Sequence, residues 1–266
     1  PAAEVTALAA GCLGGSIDPG LAQFLYGQSE GNPFFAEELL RGWEETGILT
    51  WHESTTGPPR WALTATPSST LTPSITGAIR VRLARLPPAV VDLLRIAAIS
   101  GRTFAVVLLA LVAEREPEEV EGLLQAAQQA GLVRGSGVGL FSFRHDQIRE
   151  CLYVEVSSVR RERLHERIGS ALEARPGLSP AQQLAELAFH FARSSDRARG
   201  MAYCRRAAEQ ALQSYAAQQA LEHYRQALAL GGPRDPLRGQ LLLGLGEAGL
   251  LAGHEDRAAA AFAAAE

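Results

Sequence analysis

Apolar residues recur at helical spacing over most of this chain, with two short stretches of strand-like alternation. Over residues 4–46 the pattern predicts short helices. Pro19 opens one of them after Asp18, and Leu21, Phe24 and Leu25 supply its apolar stripe. Pro33 opens the next after Asn32, an expected N-cap, and Leu39, Leu40 and Trp43 continue its apolar side. Gly47 is the expected stop. The pieces ILTWHE and RWAL then read as strands around the turn-rich STTGPP, and residues 64–76, TATPSSTLTPSIT, read as a connector.

From residue 75 the spacing is helical again. Ile75, Ile79, Leu83 and Leu86 share one face. LPPAVVDLLRIAAIS, TFAVVLLALVA and PEEVEGLLQAAQQAG predict three helices, and LVRGSGVGLFSFR predicts two strands around a Gly-rich turn. Three helices followed by a β-hairpin is the order of a winged helix-turn-helix. Beyond residue 147 every periodic segment is helical, over roughly 147–156, 159–174, 180–193, 196–214, 216–230, 235–252 and 254–266.

The last helices carry a repeat signature. ALEHYRQAL places Ala220, Tyr224 and Ala227 at the small-aromatic-small spacing of a tetratricopeptide second helix, and AAAAFAAA repeats it with Ala258, Phe262 and Ala265. Leu245, Gly246 and Gly253 fit the first helix of the last pair. Small residues let paired helices approach, and the aromatic fills the gap to the next hairpin. Residues 159–193 read as a degenerate hairpin joining the array. The expected fold is therefore mainly α: a helical lid over 1–47, a winged helix-turn-helix with small β-hairpins over 48–156, and a tetratricopeptide-like α-solenoid over 157–266.

Composition narrows the function. The 266 residues are 47% hydrophobic, enough to fill sizeable cores. The formal net charge of -4 offers no general attraction to nucleic acid or an anionic membrane. The longest apolar run, Thr103 to Ala113, is too short for a bilayer, which needs about 20 residues. Cys12, Cys151 and Cys204 are odd in number and lack metal-ligand spacing, which points to a reduced, cytoplasmic setting. The chain starts at Pro1, and a piece of a longer protein is expected.

No Gly-x4-Gly-Lys-Ser/Thr string occurs, so backbone amides and a lysine are not arranged to cradle phosphates. A Ser-His-Asp elbow, an HExxH string and a distinctively set carboxylate pair are also missing, and no independent catalysis is expected. The helix that would enter a DNA groove carries Glu118, Glu119 and Glu121 with no Lys or Arg, which disfavours contact with a phosphate backbone. Arg160, Arg161, Arg163 and Arg167 alternate with Glu162 and Glu166, the pattern of a solvated, salt-bridged helix face. His145, in FSFRHDQIRECLY, follows a wing strand and precedes a helix for which Asp146 is the expected N-cap.

The strings EGNPFFAEELLR, RLARLP, FRHDQIRECLY and RRERLHERIGSALE, in this order, resemble the C-terminal portion of STAND-class signalling ATPases. The nearest types are bacterial large LuxR-type transcriptional regulators and ATPase modules attached to bacterial nucleotide cyclases. The resemblance implies a switch in which an upstream P-loop domain binds ATP or ADP and the lid and winged helix close over it. It implies that Pro33, with Gly31 and Asn32 beside it, packs near the adenine. It further implies that His145 reaches the ADP β-phosphate. The segment reads Arg-His-Asp where apoptotic and plant relatives carry Met-His-Asp, so Arg144 stands in place of an apolar residue. No cofactor is implied for this part alone, and ATPase activity belongs to the intact protein. A protein or small-molecule inducer on the helical repeats is the implied input, with DNA and membrane contacts not expected. A winged-helix DNA-binding regulator with a tetratricopeptide effector domain, and a plain protein-binding scaffold, remain as alternatives.

Overall fold

The computed structural model describes residues 2–29, 31–45, 47–52, 59–64, 75–174 and 179–265. Most of the expected turn STTGPP, residues 54–58, and most of the Thr/Ser/Pro-rich connector lie outside these residues. The chain is mainly helical with a few small antiparallel strands, and it divides into two compact units, Pro1–Leu86 and Pro87–Glu266.

In the first unit, α1 (Ala2–Leu13), α2 (Pro19–Ser29) and α3 (Pro33–Glu45) pack with a two-stranded hairpin, β1 (Leu49–His52) and β2 (Arg60–Leu63). Their common core holds Val5, Ala9, Leu21, Leu25, Leu39, Leu40, Trp43 and Leu49, with Phe24 stacked at a tilt on Trp43, 5.6 Å between ring centres. The helical stripes expected from the sequence are the ones buried. Trp61 ties the hairpin to the helices: its indole N–H donates to the Leu13 carbonyl at 3.0 Å, and its backbone bridges Ile17. The hairpin is thus part of the core made by residues 1–47. Helix α4 (Ile75–Ala84) follows, with Ile79 and Leu83 buried as their spacing predicts.

The second unit begins with α5 (Pro88–Ser100), whose proline occupies the first helical turn, where no backbone N–H is missed. Here the structure departs from the periodicity. The run TFAVVLLALVA is not one helix: Thr103–Ala105 is a strand, β3, and only Val106–Ala113 is helical, α6. Strand pairing decides this. Thr103 and Phe104 lie opposite Ser142 and Phe141 of β5 (Leu140–Phe143), and Phe104 meets Phe143 at 5.2 Å in the core. An apolar run hides the switch because a buried strand and a buried helix share composition. Helix α7 (Pro117–Gln129) buries Val120, Leu124 and Ala127, one face at i, i+4 and i+7. Strand β4 (Val133–Gly137) completes an antiparallel sheet in the order β3-β5-β4.

Helices then follow as α8 (Asp146–Glu155), α9 (Ser158–Ala174), α10 (Pro180–Phe191), α11 (Arg197–Gln213), α12 (Ala217–Leu230), α13 (Arg238–Leu251) and α14 (Glu255–Ala263). Consecutive helices from α9 to α14 pack on one another, the arrangement of a helical solenoid. Glycines set the spacing. A Cβ on Gly244 of α13 would lie 2.3 Å from Tyr224 Cζ of α12, and one on Gly246 would lie 2.4 Å from Phe262 Cε1 of α14. Ala220, Ala227 and Ala258 are fully buried. The small-aromatic spacing therefore works as its geometry demands: each ring occupies the space a neighbouring glycine leaves. No helix among the described residues is long and apolar enough to cross a membrane.

Candidate functional site

Gly31, Asn32 and Pro33 form the turn between α2 and α3. Gly31 has φ +77, a left-handed conformation that side chains with a Cβ resist, and a Cβ there would meet Tyr26 at 3.2 Å. Asn32 N–H donates to the Ser29 carbonyl at 2.8 Å, closing the turn. Its Oδ1 accepts from Phe35 N–H at 3.4 Å, and its carbonyl accepts from Ala36 N–H, so Asn32 caps α3 as expected. Pro33 is exposed at the first helical position. The sequence thus builds a fixed corner that presents a proline ring outward.

His145 lies in the second compact unit, at the junction between β5 and α8. Its backbone is extended, φ -140 and ψ 146, and it occupies the N-cap position of α8. Asp146 is therefore not the cap, contrary to the sequence expectation. It is the first helical residue, and its carboxylate takes a hydrogen bond from Arg102 at 3.1 Å. A carboxylate in the first turn still complements the helix dipole, which is why the sequence signal for cap and first turn is the same. The neighbouring backbone is anchored on both sides: Phe143 N–H donates to the Arg102 carbonyl and Arg144 N–H to the Leu132 carbonyl, each at 3.0 Å. His145 is half-buried on this fixed junction.

The acidic face of α7 is exposed at Glu118, Glu119 and Glu121. The basic face of α9 is solvated and salt-bridged as expected, but its ion-pair partners lie on other elements. Arg160 reaches Asp92 of α5 at 3.5 Å, Arg167 pairs with Glu114 at the end of α6, and Arg161 lies over the Tyr153 ring. These pairs are exposed and contribute little, so α9 is held mainly by its buried face, Leu164 and Ile168 among it.

The structure also assembles a polar group that the sequence did not reveal. His165 of α9 and His190 of α10 are both buried, with their Nδ1 atoms 3.0 Å apart. Burial holds both rings neutral, with the nearby Arg193 charge adding to the effect: His165 is pushed down to about 4 and His190 to about 3. Glu186, one turn before His190, places Oε2 3.8 Å from His190 Nε2, and burial raises its carboxyl. The two histidines are 25 residues apart, and their only sequence signal is that each falls on an apolar helix face.

Two concavities accompany these groups. A cleft of about 1000 Å³ runs between the β3–α6 segment and α9–α10. A groove of about 320 Å³ on α12–α14 is lined by Leu221, Arg225, Leu245, Gly249, His254 and Arg257. No cluster of three or more metal-ligating side chains occurs among the described residues.

No family model matches the chain, and no curated protein matches it significantly. Among solved structures it is similar to a Signal Transduction ATPase with Numerous Domains (STAND) protein with a tetratricopeptide repeat sensor from Pyrococcus horikoshii, at 13% identity and a TM-score of 0.35. The match covers 100% of this chain and 53% of that one, so the chain spans about half the length of the protein it matches.

Proposed function

We propose that this chain is the regulatory, non-catalytic part of a nucleotide-dependent signalling switch of the STAND class. In this reading the segment of α5–α7 and the β3-β5-β4 sheet is a winged helix, with β4 and β5 as the wing. The functional division is a lid over 1–86, which takes in the β1–β2 hairpin and α4 that the sequence pattern assigns to the winged helix, then a winged helix over 87–156 and an input array over 157–266. The lid and winged helix gate ATP or ADP held by a separate P-loop domain of the intact cytoplasmic protein, a transcriptional regulator of the large LuxR type or a cyclase-associated module.

One observation carries the reading. The three-helix, three-strand element and the stacked helices are built into a single compact unit, with α9 packed directly on α5 and α6. A partner that distorts the array has a continuously packed path, α9 on α5 and α5 on α8, to the junction that holds His145. Such a partner shifts the switch only as far as it prefers one state over the other. Arg225 and Arg257 beside the α12–α14 groove favour an acidic segment as that partner.

The test uses the intact protein. Release of a fluorescent ADP analogue is followed for the wild type, His145→Ala and Pro33→Ala. Faster release by about tenfold or more is expected for His145→Ala, the loss of one charge-assisted contact to phosphate. Unchanged release in both variants would refute the nucleotide reading and favour a plain protein-binding scaffold. A DNA-binding reading is disfavoured by the exposed glutamates of α7.

A further inference from the structure

The cleft between the β3–α6 segment and α9–α10 is unusual in what it exposes. Val107, Leu111 and Leu140 are 41%, 44% and 39% exposed, and all three line it. Leu108, Ala171 and Leu172 extend the apolar surface on both walls. The volume of about 1000 Å³ suits a small organic molecule. Single exposed apolar residues are ordinary; three of them facing one concavity give a small ligand an apolar wall to rest on.

Among the described residues two charged side chains reach this cleft, Arg102 and Glu186, and they differ in one respect. Arg102 already has a counter-ion, the Asp146 carboxylate at 3.1 Å. Among the described residues Glu186 has only His190, at 3.8 Å, and that ring is neutral. The uncompensated charge in the cleft, among the described residues, is therefore negative. From this geometry we propose that the cleft binds a small amphipathic cation, an apolar body of one or two rings carrying a single amine that pairs with Glu186.

The buried histidines give the site a means of registering its occupant. A hydrogen bond between two neutral imidazoles through Nδ1 requires one ring to donate and the other to accept. If His165 donates, His190 carries its proton on Nε2, facing the Glu186 carboxylate. If His190 donates, a bare Nε2 lone pair faces that carboxylate instead. An ionised Glu186 thus selects the first arrangement, and an amine that pairs with Glu186 weakens the selection. His165 Nε2 is buried with no hydrogen-bond partner among the described residues, so the ring is not otherwise locked to one tautomer. His165 sits on α9, the helix that packs on α5 and α6, so the effect arises at the joint between the two parts of the unit.

The test is made on this chain alone, without nucleotide, so its outcome is separate from that of the nucleotide reading. The probes are 2-naphthylmethylamine and its neutral analogue 2-naphthylmethanol, titrated at pH 7.5 by ligand-observed and ¹⁵N-imidazole NMR. The amine is expected to bind about fivefold more tightly than the alcohol, the upper range for a half-exposed ion pair. Glu186→Gln, isosteric and only partly buried, should bring the two within about twofold of each other. Leu111→Trp, which projects a larger ring into the cleft, should weaken both by about tenfold. The His190 and His165 nitrogen shifts should move with the amine and stay still with the alcohol. Equal affinities in the wild type would overturn the proposal, as would amine binding that survives both substitutions. Absence of binding by either probe would do the same.

Discussion

Replacing Gly244 by alanine and replacing Gly122 by alanine are the same chemical change in two helix interiors, and they should move stability in opposite directions. Alanine is a better helix former than glycine by about 1 kcal/mol, so propensity favours both substitutions. Gly122 of α7 is exposed, and a Cβ there meets nothing within 4 Å. Its gain of about 1 kcal/mol is therefore expected in full. On Gly244 the new methyl would lie 2.3 Å from Tyr224 Cζ and 2.5 Å from its Oη, well inside contact distance. The ring cannot swing aside cheaply because Tyr224 is 5% exposed and lies among Ala220, Leu221, Ala227 and Leu241. Overpacking of this kind costs about 1–3 kcal/mol, and overlap with the rigid end of a buried ring belongs at the upper end. The net expectation is a loss of about 1–2 kcal/mol. For a unit of this size that lowers the melting temperature by roughly 3–6 °C, while Gly122→Ala raises it by roughly 2–4 °C. Circular dichroism at 222 nm during heating and urea titration reads both. Tyr224→Leu should relieve much of the Gly244→Ala penalty, giving a favourable coupling in the double-mutant cycle. If Gly244→Ala raises the melting temperature as Gly122→Ala does, the account of α12–α13 packing is wrong.

Acid should destabilise the second unit through the paired histidines. The unfolded chain takes up protons near 6.5, whereas the folded chain holds His165 neutral to about 4 and His190 to about 3. Stability is then complete above about pH 7 and falls as pH drops through 6.5 towards 4, by about 3 kcal/mol for a single such ring. His190→Phe should flatten this part of the pH–stability curve, and an unchanged slope would remove the pair as its cause. Asn32→Ala should cost about 1 kcal/mol by leaving Phe35 N–H without its cap, read as a lower urea midpoint for the first unit. Thiol labelling with a disulfide reagent at pH 8 should be fast at the exposed Cys12 and slow at the buried Cys151 and Cys204, the latter's thiol being pushed up to about 11 by burial. Labelling of Cys204 without prior unfolding would contradict its place in the α10–α12 core.

Local rules placed most helices because their signals are carried within each element. Pro19, Pro33, Pro88, Pro117 and Pro180 all open helices in the structure, and the helices from α8 onward begin and end within a few residues of the periodic segments. Gly31, Asn32 and Pro33 were readable for the same reason: a left-handed glycine, a capping amide and a first-turn proline are each defined by a few neighbouring bonds. Errors arose where a non-local partner decided the outcome. Thr103–Ala105 is a strand because β5 lies alongside it, and no local property of an apolar run announces that partner. Asp146 turned from a helix cap into the counter-ion of Arg102, a residue 44 positions away.

The sequence by itself determined the helical character, the chemistry of the Gly31–Pro33 corner, the junction at His145 and the small-aromatic spacing, since all of these follow from backbone preference and periodicity. Only the tertiary structure decided that Tyr224 would rest on Gly244 and Phe262 on Gly246. It alone brought His165 against His190, and left Glu186 in an apolar cleft whose arginine was already neutralised. The physical reason is the range of the interactions. Caps, turns and amphipathic stripes act over a few residues, whereas close packing and desolvated charge depend on which helices meet, and no single segment encodes that alone.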